Sequence, residues 1–180
     1  MKLIVGLGNP GSQYALTRHN AGFLAIDHFR KDLGGISCQS AFQAQICELH
    51  FGSTKVFFVK PQTFMNLSGQ AVKEICDFYK LDAAGDLLVI HDDADLPLGE
   101  IRSALTASAA GHNGVQNIID SLGSQAFHRL RLGIETRTDK KTLPTEAFVL
   151  QRFSDEEQKL LQEKIFPQVD SEIKKFIEAK

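Results

Sequence analysis

His19 is the residue of this sequence best suited to act as a base. It lies in the segment Thr17-Arg18-His19-Asn20, where a loop beyond the first predicted strand leads into a predicted helix. In open α/β sheets, ligands bind at the carboxyl ends of the strands. A neutral imidazole placed there can take a proton from water, because its ordinary pKa lies near working pH. A loop histidine can equally cover the surface or cap a helix, and this segment alone leaves both interpretations open.

Three carboxylates follow an apolar run in the segment His91-Asp92-Asp93-Ala94-Asp95. They can bind a divalent metal ion, orient a histidine or remain solvated in a loop. A metal site needs further ligands, and no H-E-x-x-H or comparable motif supplies them. A carboxylate beside one imidazole nitrogen fixes the tautomer of the ring and stabilises its protonated form. We therefore expect a carboxylate of this segment to orient a histidine rather than to hold a metal.

Asn9, Asn66 and Asn113 lie in predicted loops, beside glycine or proline or at the start of a helix. The amide of asparagine donates and accepts hydrogen bonds without adding charge, which suits it to binding a peptide backbone. Asparagine is also a common turn and cap residue. The sequence contains no G-x-S-x-G elbow and no Walker A lysine. A hydrolase built on these residues would use water activated by a base rather than a covalent intermediate.

Gly6, Gly8 and Gly11 form a G-x-G-x-x-G pattern directly after the first predicted strand. In dinucleotide-binding folds this pattern lets a pyrophosphate approach a helix N-terminus. Residues 36–40, where such a fold would provide an acidic ribose ligand, contain no acidic residue. A nicotinamide-dependent enzyme remains an alternative, but a tight loop explains the three glycines more simply, and no cofactor is predicted.

The elements that must position these residues alternate between strands and helices. Short apolar runs predict strands over residues 2–7, 41–49, 55–60, 87–90, 100–105, 130–134 and 147–150. Helical spacing predicts helices over residues 20–33 (ended by Gly34-Gly35), around 72–79, from the turn at 111–114 to 122, and over 155–179. The alternation predicts a single α/β domain over residues 1–180, with a twisted, mixed and largely parallel central sheet flanked by helices.

Two local signals mark the last predicted helix. Ser154 and Glu157 have the spacing of a capping box at its start. Pro167 lies inside the helical pattern, where it should kink or break the segment.

Composition limits the class of protein. The chain has 180 residues, of which 43% are hydrophobic, so one domain can fill a core without disulfides or metals. Its formal net charge of −2 does not mark a nucleic-acid binder, so any RNA contact must come from a local basic patch. Three cysteines at unpatterned spacings indicate reduced core thiols, and neither a signal peptide nor a membrane-length apolar run is present. We expect a cytoplasmic protein without a membrane segment.

Taken together and in this order, the motifs resemble those of bacterial-type peptidyl-tRNA hydrolases, and the resemblance extends from residue 2 to about residue 153. The matching segments are Gly6-Leu-Gly-Asn-Pro-Gly11, Tyr14, Thr17-Arg-His-Asn-Ala-Gly22, Lys60-Pro-Gln-Thr-Phe-Met-Asn-Leu-Ser-Gly69, His91-Asp92, Asp95-Leu-Pro97, Gly111-His-Asn-Gly114 and Arg129-Leu-Arg-Leu-Gly-Ile134.

The resemblance implies hydrolysis of the ester between a peptide and the 3′ ribose of tRNA, which frees the tRNA for translation. His19 would be the general base that activates water, and Asp92 would orient it. Asn9 would hold the peptide side and help to reject aminoacyl-tRNA with a free amine. Further residues would line the cleft for the peptide and the tRNA acceptor end: Tyr14, Phe64, Met65, Asn66, His112 and Asn113. The resemblance implies no metal, cofactor or obligate protein partner, and a monomer.

The basic residues depart from the family pattern. Residues 102–110 are normally rich in glycine with basic residues, but here they carry a single positive charge. A family lysine that clamps the tRNA 5′ phosphate is replaced near Ala104, which leaves Arg131 as the tRNA-binding residue, with Lys140-Lys141 as further local charge. We expect intact chemistry and weaker or differently distributed tRNA binding. A non-catalytic RNA-binding protein of the same fold is the alternative, but drift at the catalytic positions, its expected signature, is missing.

Overall fold

The structure is a computed structural model that describes residues 1–31, 33 and 37–179, within which seven strands form one sheet. The strands are β1 (Lys2–Gly6), β2 (Cys38–Ala41), β3 (Ala44–Phe51), β4 (Thr54–Pro61), β5 (Leu87–Pro97), β6 (Ile101–Thr106) and β7 (Ala126–Glu135). Their order is β2-β3-β4-β1-β5-β7-β6. The central strands β4, β1, β5 and β7 pair in parallel, whereas β3 and β6 run against their neighbours. The predicted mixed, largely parallel sheet is therefore confirmed.

Helices cover both faces of the sheet. They are α1 (Ala21–Lys31), α2 (Ser68–Tyr79), α3 (Ala83–Asp86), α4 (Asn113–Leu122), α5 (Thr145–Val149), α6 (Asp155–Leu160) and α7 (Phe166–Glu178). Helices α1 and α7 pack with one hydrophobic core, and α2 and α4 with the other. Successive residues of β1 alternate between these cores, since Ile4 belongs to the first and Leu3 and Val5 to the second. A strand buried on both faces appears in the sequence as a continuous apolar run.

The predicted break in the last helix is confirmed. A π-helical segment, Leu161–Ile165, separates α6 from α7, and Pro167 lies in the first turn of α7. Proline has no amide hydrogen to donate to the preceding turn, and the π-helical segment lies directly before this position. The capping box is also confirmed, because the Ser154 hydroxyl accepts from the Glu157 amide and the Glu157 carboxylate accepts from the Ser154 amide.

The strand β5 is longer than predicted and carries chemistry on its carboxyl half. The prediction ended at residue 90, but the strand continues to Pro97, with a register shift against β7 between Asp93 and Pro97. His91 and Asp92 are consequently held by backbone pairing with β7, whereas the pairing of β5 with β1 ends at Ile90. β1 and β4 run parallel to β5, so the loops after these strands open at the same edge.

Other sequence predictions need correction. Residues 147–150 were expected to form a strand but belong mostly to α5, because Pro144 precedes a helical turn that buries Phe148 and Val149. A short apolar run does not distinguish a strand from a buried helix. The strand expected at 41–49 is β3, shifted to 44–51, and β2 was not predicted. Helix α1 confirms the prediction up to Lys31, whereas its expected end at Gly34-Gly35 lies outside the described residues.

The prediction of three reduced cysteines is wrong for two of them. Cys38 and Cys47 form a disulfide, whereas Cys76 is buried and free. The paired cysteines face each other across antiparallel β2 and β3, with Cα atoms 4.2 Å apart. Spacing along the chain does not reveal this pair, because it depends on the register between the strands. The inference of a reducing compartment from cysteine usage therefore loses its basis.

Within the described part of the chain, no helix combines the length and the apolar character needed to cross a bilayer.

Candidate active site

Nine of the ten predicted site residues line one cleft, which has a volume of about 670 Å³ and lies at the edge where β1 and β5 end. They are Asn9, Tyr14, His19, Phe64, Met65, Asn66, Asp92, His112 and Asn113. Arg131 is the exception, because it does not line the cleft.

His19 and Asp92 are directly bonded, with His19 Nδ1 2.9 Å from Asp92 Oδ1. An ionised carboxylate only accepts, so Nδ1 carries the hydrogen and Nε2 keeps a free lone pair. Burial lowers the pKa of His19, but the charge of Asp92 and the hydrogen bond to it outweigh burial, so the pKa lies above its ordinary value. The arrangement provides a base whose tautomer is fixed and whose protonated form is stabilised.

His112 makes a second hydrogen bond to the same carboxylate oxygen, with Nε2 3.0 Å from Asp92 Oδ1. Its Nδ1 accepts the amide hydrogen of Val115 at 3.2 Å and so caps α4. The cap fixes the neutral ring with its hydrogen on Nε2. Burial of Asp92 would raise the pKa of its carboxyl, but electrostatic interaction with the imidazoles of His19 and His112, and the hydrogen bonds that they donate, hold the pKa below its usual range. Asp92 therefore stays ionised although only 2% of it is exposed.

The donor atoms of His19, Asp92 and His112 lie within 4.8 Å of one another, which makes the trio a candidate metal site by composition. Nitrogen ligands lie about 2.0–2.1 Å from zinc. Here one nitrogen of His19 and one of His112 lie at hydrogen-bond distance from the same oxygen of Asp92. The other nitrogen of His112 caps a helix. The geometry therefore fits a pair of histidines that donate to one carboxylate better than it fits a metal centre.

His91 is a buried neutral histidine beneath this pair. Its Nδ1 donates to the backbone carbonyl of Asp92 at 2.7 Å, and its ring lies edge to face with His112 at 4.7 Å between centroids. Burial, and then the neighbouring His112, lower the pKa of His91 to about 3. It consequently stays uncharged near neutral pH and supports the backbone of Asp92. The sequence motif included His91 but gave it no role.

The residue before His19 anchors it to the C-terminal part of the chain. Arg18 Nη2 donates to both carboxylate oxygens of Glu157, at 2.8 and 2.9 Å. Its guanidinium lies over the rings of Phe148 and Phe153, at 4.6 and 5.1 Å from their centroids. Because Arg18 is buried, paired with a carboxylate and stacked on two rings, it has little freedom to move. The backbone of the next residue, His19, is therefore held in place.

The residue after His19 fixes Asn9. The Asn9 amide donates to Asn20 Oδ1 at 2.8 Å, and Asn20 Nδ2 donates to the Asn9 carbonyl at 3.0 Å. Asn9 Oδ1 in turn accepts from the Met65 amide at 2.8 Å. Within the described residues, Asn9 Nδ2 has no acceptor and remains available to a molecule in the cleft. The segment containing His19 thus orders the base and an amide donor together.

Arg131 lies on the flank of the cleft and is neutralised there. Its Nε lies 2.6 Å from Asp93 Oδ2. The register between β5 and β7 sets this pair, because it places Arg131 opposite His91, one step along the same face from Asp93. Lys140 nearby contacts Asp95 at 2.8 Å. Two of the cations expected to bind RNA, Arg131 and Lys140, therefore already have carboxylate partners.

Two walls of the cleft were not found from the sequence. One is formed by the segment Ala109–Gly111, the other by residues at and after the start of α5: Thr145, Glu146, Val149 and Leu150. The α5 wall was missed because that segment was expected to be a strand. The small residues before His112 carry no chemical signal of their own.

The glycine pattern has a packing role. A Cβ at Gly6 would lie 2.4 Å from the Gly22 carbonyl oxygen, and one at Gly8 would lie 2.6 Å from the ring of Phe23. Helix α1 begins at Ala21, ten residues after Gly11 rather than at the end of the glycine loop. A pyrophosphate at a helix N-terminus requires that direct connection. The glycines instead let α1 approach β1, so the dinucleotide alternative is not favoured.

Comparison with known proteins agrees with the resemblance seen in the motifs. The family described as peptidyl-tRNA hydrolase matches residues 3–180. The peptidyl-tRNA hydrolase of Desulfitobacterium hafniense is 46% identical over 163 residues, covering 91% of this chain and 86% of the relative. That of Fusobacterium nucleatum is also 46% identical, with 91% and 83% covered.

Among solved structures, the crystal structure of peptidyl-tRNA hydrolase from Acinetobacter baumannii has a TM-score of 0.79 and 33% identity, covering 100% of this chain and 96% of that one. The match therefore includes the sheet, its flanking helices and the cleft loops, not the motifs alone. The chain belongs to the peptidyl-tRNA hydrolase family.

Proposed function

We propose that this chain hydrolyses the ester that joins a peptide to the 3′ ribose of tRNA. Membership of the family supports the substrate. The observation that carries the proposal is the 2.9 Å hydrogen bond between His19 and Asp92, which leaves His19 Nε2 as a base in the cleft.

In the proposed reaction, His19 Nε2 takes a proton from a water molecule while the water oxygen attacks the ester carbonyl carbon. Asp92 stabilises the imidazolium that forms. The tetrahedral intermediate collapses, the bond to the ribose 3′ oxygen breaks, and that oxygen takes the proton from His19. The products are tRNA with a free 3′ hydroxyl and a peptide carboxylic acid, which loses its remaining proton to solvent and becomes a carboxylate. General-base assistance of this kind contributes about 10²–10⁴-fold.

Asn9 holds the peptide side of the substrate. Its Oδ1 is occupied by the Met65 amide, so its Nδ2 donates to a carbonyl oxygen of the peptide. An aminoacyl-tRNA with a free amine has no peptide carbonyl at that position. The amide therefore favours N-blocked substrates, because a donor aimed at a missing acceptor is left unpaired.

The remaining cleft residues divide between peptide and RNA. Phe64 and Leu150 are large apolar side chains with 57% and 48% of their surface exposed, and with Tyr14 they provide an apolar surface for peptide side chains. Asn66 and Asn113 lie exposed at the cleft, where their amides contact the terminal nucleotides of the acceptor end. Met65 packs beneath these asparagines, and His112 holds Asp92. Arg131 contacts a phosphate once its ion pair with Asp93 is broken.

A non-catalytic RNA-binding role is not favoured, because His19, Asp92 and Asn9 are all held in hydrogen-bonded positions that RNA binding alone does not require. The test is release of N-acetyl-phenylalanine from N-acetyl-phenylalanyl-tRNA by the wild-type chain, by His19→Ala and by His50→Ala. His50 lies on β3, outside the cleft, and serves as a matched control.

We expect the wild type and His50→Ala to release the amino acid at similar rates. His19→Ala should lose about 10²–10⁴-fold in kcat/KM while keeping its circular dichroism spectrum and tRNA affinity. Phenylalanyl-tRNA with a free amine should be a poor substrate for the wild type. Equal rates for His19→Ala and the wild type would rule out the proposed base. A folded wild-type chain that binds tRNA without hydrolysing it would favour the RNA-binding alternative.

A further inference from the structure

Arg129 is a buried cation that has no carboxylate partner among the residues that the structure describes. It lies on β7 with 2% of its surface exposed. Its guanidinium lies 5.0 Å from the centroid of the Phe127 ring. It donates from Nη1 to the Ser108 carbonyl at 2.8 Å and from Nη2 to the Ala107 carbonyl. Burying an arginine costs free energy. Because both of its hydrogen bonds reach neighbouring carbonyls, the role of Arg129 is to be sought in the segment that contains them.

Both bonds reach one segment, residues 107–112, which joins β6 to α4. Its side chains before His112 are small, and only Ala109 is buried in a hydrophobic core. Ala110 and Gly111 have left-handed backbones, with φ of 47° and 81°. A non-glycine residue in this region is strained unless its surroundings hold it there. The segment thus has little packing of its own to keep its shape.

The segment ends at His112, whose amide donates to the Ala109 carbonyl at 2.9 Å. His112 then donates to Asp92, and Ala109–Gly111 form one wall of the cleft. Arg129 is therefore connected to the catalytic carboxylate through a short run of backbone. Among the described residues, its guanidinium is the only side-chain group that bonds residues 107–111 to the sheet, and His112 adds its own bond to Asp92. The fixed fork of arginine suits two successive carbonyls, whereas the single ammonium of lysine does not.

We propose that Arg129 is a positioning residue for the reaction, which holds residues 107–112 so that His112 keeps its hydrogen bond to Asp92. The effect on rate rests on the proposed function, while the effect on the segment does not. Without Arg129, His112 moves away and Asp92 interacts with His19 alone. The proton affinity of His19 then rises, and one wall of the cleft is no longer fixed.

The test compares Arg129→Met and Arg129→Lys with Arg30→Met, an arginine at the end of α1 that does not line the cleft. Amide hydrogen exchange of residues 107–115 reports on the segment without any substrate. We expect exchange there to be about tenfold faster or more in Arg129→Met, with β4 unchanged, because hydrogen bonds to a charged group are lost. Arg129→Lys should be intermediate, and Arg30→Met should match the wild type. If Arg129→Met fails to fold, Arg129→Lys is compared with the wild type in its place.

Kinetics then separate positioning from general stability. Arg129→Met should lower kcat by about tenfold or more and move the rising limb of the pH profile of kcat/KM to higher pH. Adding it to His112→Ala should cause no further loss, because Arg129 acts through His112. Unchanged exchange in residues 107–115 would overturn the proposal, as would losses that multiply in the double variant. If the wild-type chain lacks hydrolase activity, the proposed function fails, while the exchange result still decides whether Arg129 holds the segment.

Discussion

The two sides of the cleft differ in how their charged side chains are paired. On the reaction side, one buried carboxylate, Asp92, is shared by His19 and His112 and remains ionised to support a base. On the side where we propose that RNA binds, two cations are already paired with carboxylates: Arg131 with Asp93 and Lys140 with Asp95. The first side keeps its charge available for the reaction, and the second has its charge neutralised.

We expect this difference to let the chain keep its chemistry while its RNA contacts change. The reaction side depends on short hydrogen bonds among a few residues, so we expect substitutions there to lower activity. The RNA side depends on charge that can be moved among surface residues. The resemblance implies a lysine where this chain has Ala104, and Asp93 already pairs with Arg131. If Arg131 binds a tRNA phosphate as proposed, the phosphate must displace this carboxylate, and we expect that competition to weaken binding.

Of three substitutions outside the His19–Asp92 pair, the largest effect on this comparison should come from the one at Asn9, which we place on the reaction side. Asn9→Ala removes the free amide donor, and we expect kcat/KM for N-acetyl-phenylalanyl-tRNA to fall about 10²-fold. Asn117→Ala is the matched control, since Asn117 Oδ1 likewise accepts a backbone amide, that of Gly69 at 2.8 Å, but lies outside the cleft. An Asn9→Ala chain as active as Asn117→Ala would remove Asn9 from the reaction side.

A smaller effect should come from releasing Arg131. Asp93→Asn leaves an acceptor in place but removes the charge that pairs with Arg131, so tRNA should bind several-fold more tightly at low salt. The slope of log affinity against log salt should become steeper by about 0.7–0.9, the contribution of one phosphate contact. Glu48→Gln, which removes the carboxylate partner of Lys55 on the neighbouring strand β4, outside the cleft, is the control and should leave both values unchanged. An unchanged slope in Asp93→Asn would show that Arg131 does not bind phosphate.

The smallest effect should come from Lys140. Its ammonium contacts Asp95 at 2.8 Å and Glu135 at 3.3 Å, so its charge is already balanced. Lys140→Ala should weaken tRNA binding less than about twofold at physiological salt, because exposed ion pairs contribute little. Filter binding across a salt series measures this. A loss above tenfold would mean that the RNA side relies on Lys140 and is not neutralised.

The strands that could be predicted are those whose own residues identify them, without reference to a neighbouring strand. The runs at 2–7 and 55–60 are apolar because β1 and β4 are buried on both faces, so they predict strands without knowledge of their neighbours. Residues 147–150 were predicted wrongly, because Phe148 and Val149 would be buried in either conformation. The Cys38–Cys47 pair depends on the register of β2 against β3, and no local pattern encodes that register.

The site was predictable to the extent that each motif carries a chemically distinctive side chain. His19, Asp92 and the asparagines have that character and lie together in the cleft. Arg131 has it too, but its ion pair with Asp93 depends on how β7 pairs with β5. Arg129 and His91 act through backbone carbonyls, and a sequence does not show which carbonyl a side chain will reach.

The coupling between Asp92 and His19 is tested most directly by single-turnover hydrolysis of N-acetyl-phenylalanyl-tRNA across a pH series, in the wild type and in Asp92→Asn. The base must be neutral, and the charge of Asp92 raises its pKa above the ordinary 6.5, so the wild-type rate should rise with pH through a midpoint above 6.5. In Asp92→Asn, burial remains and the charge is gone, so the midpoint should move to lower pH while the plateau falls about 10²–10⁴-fold. A midpoint that stays in place or moves to higher pH would contradict the account.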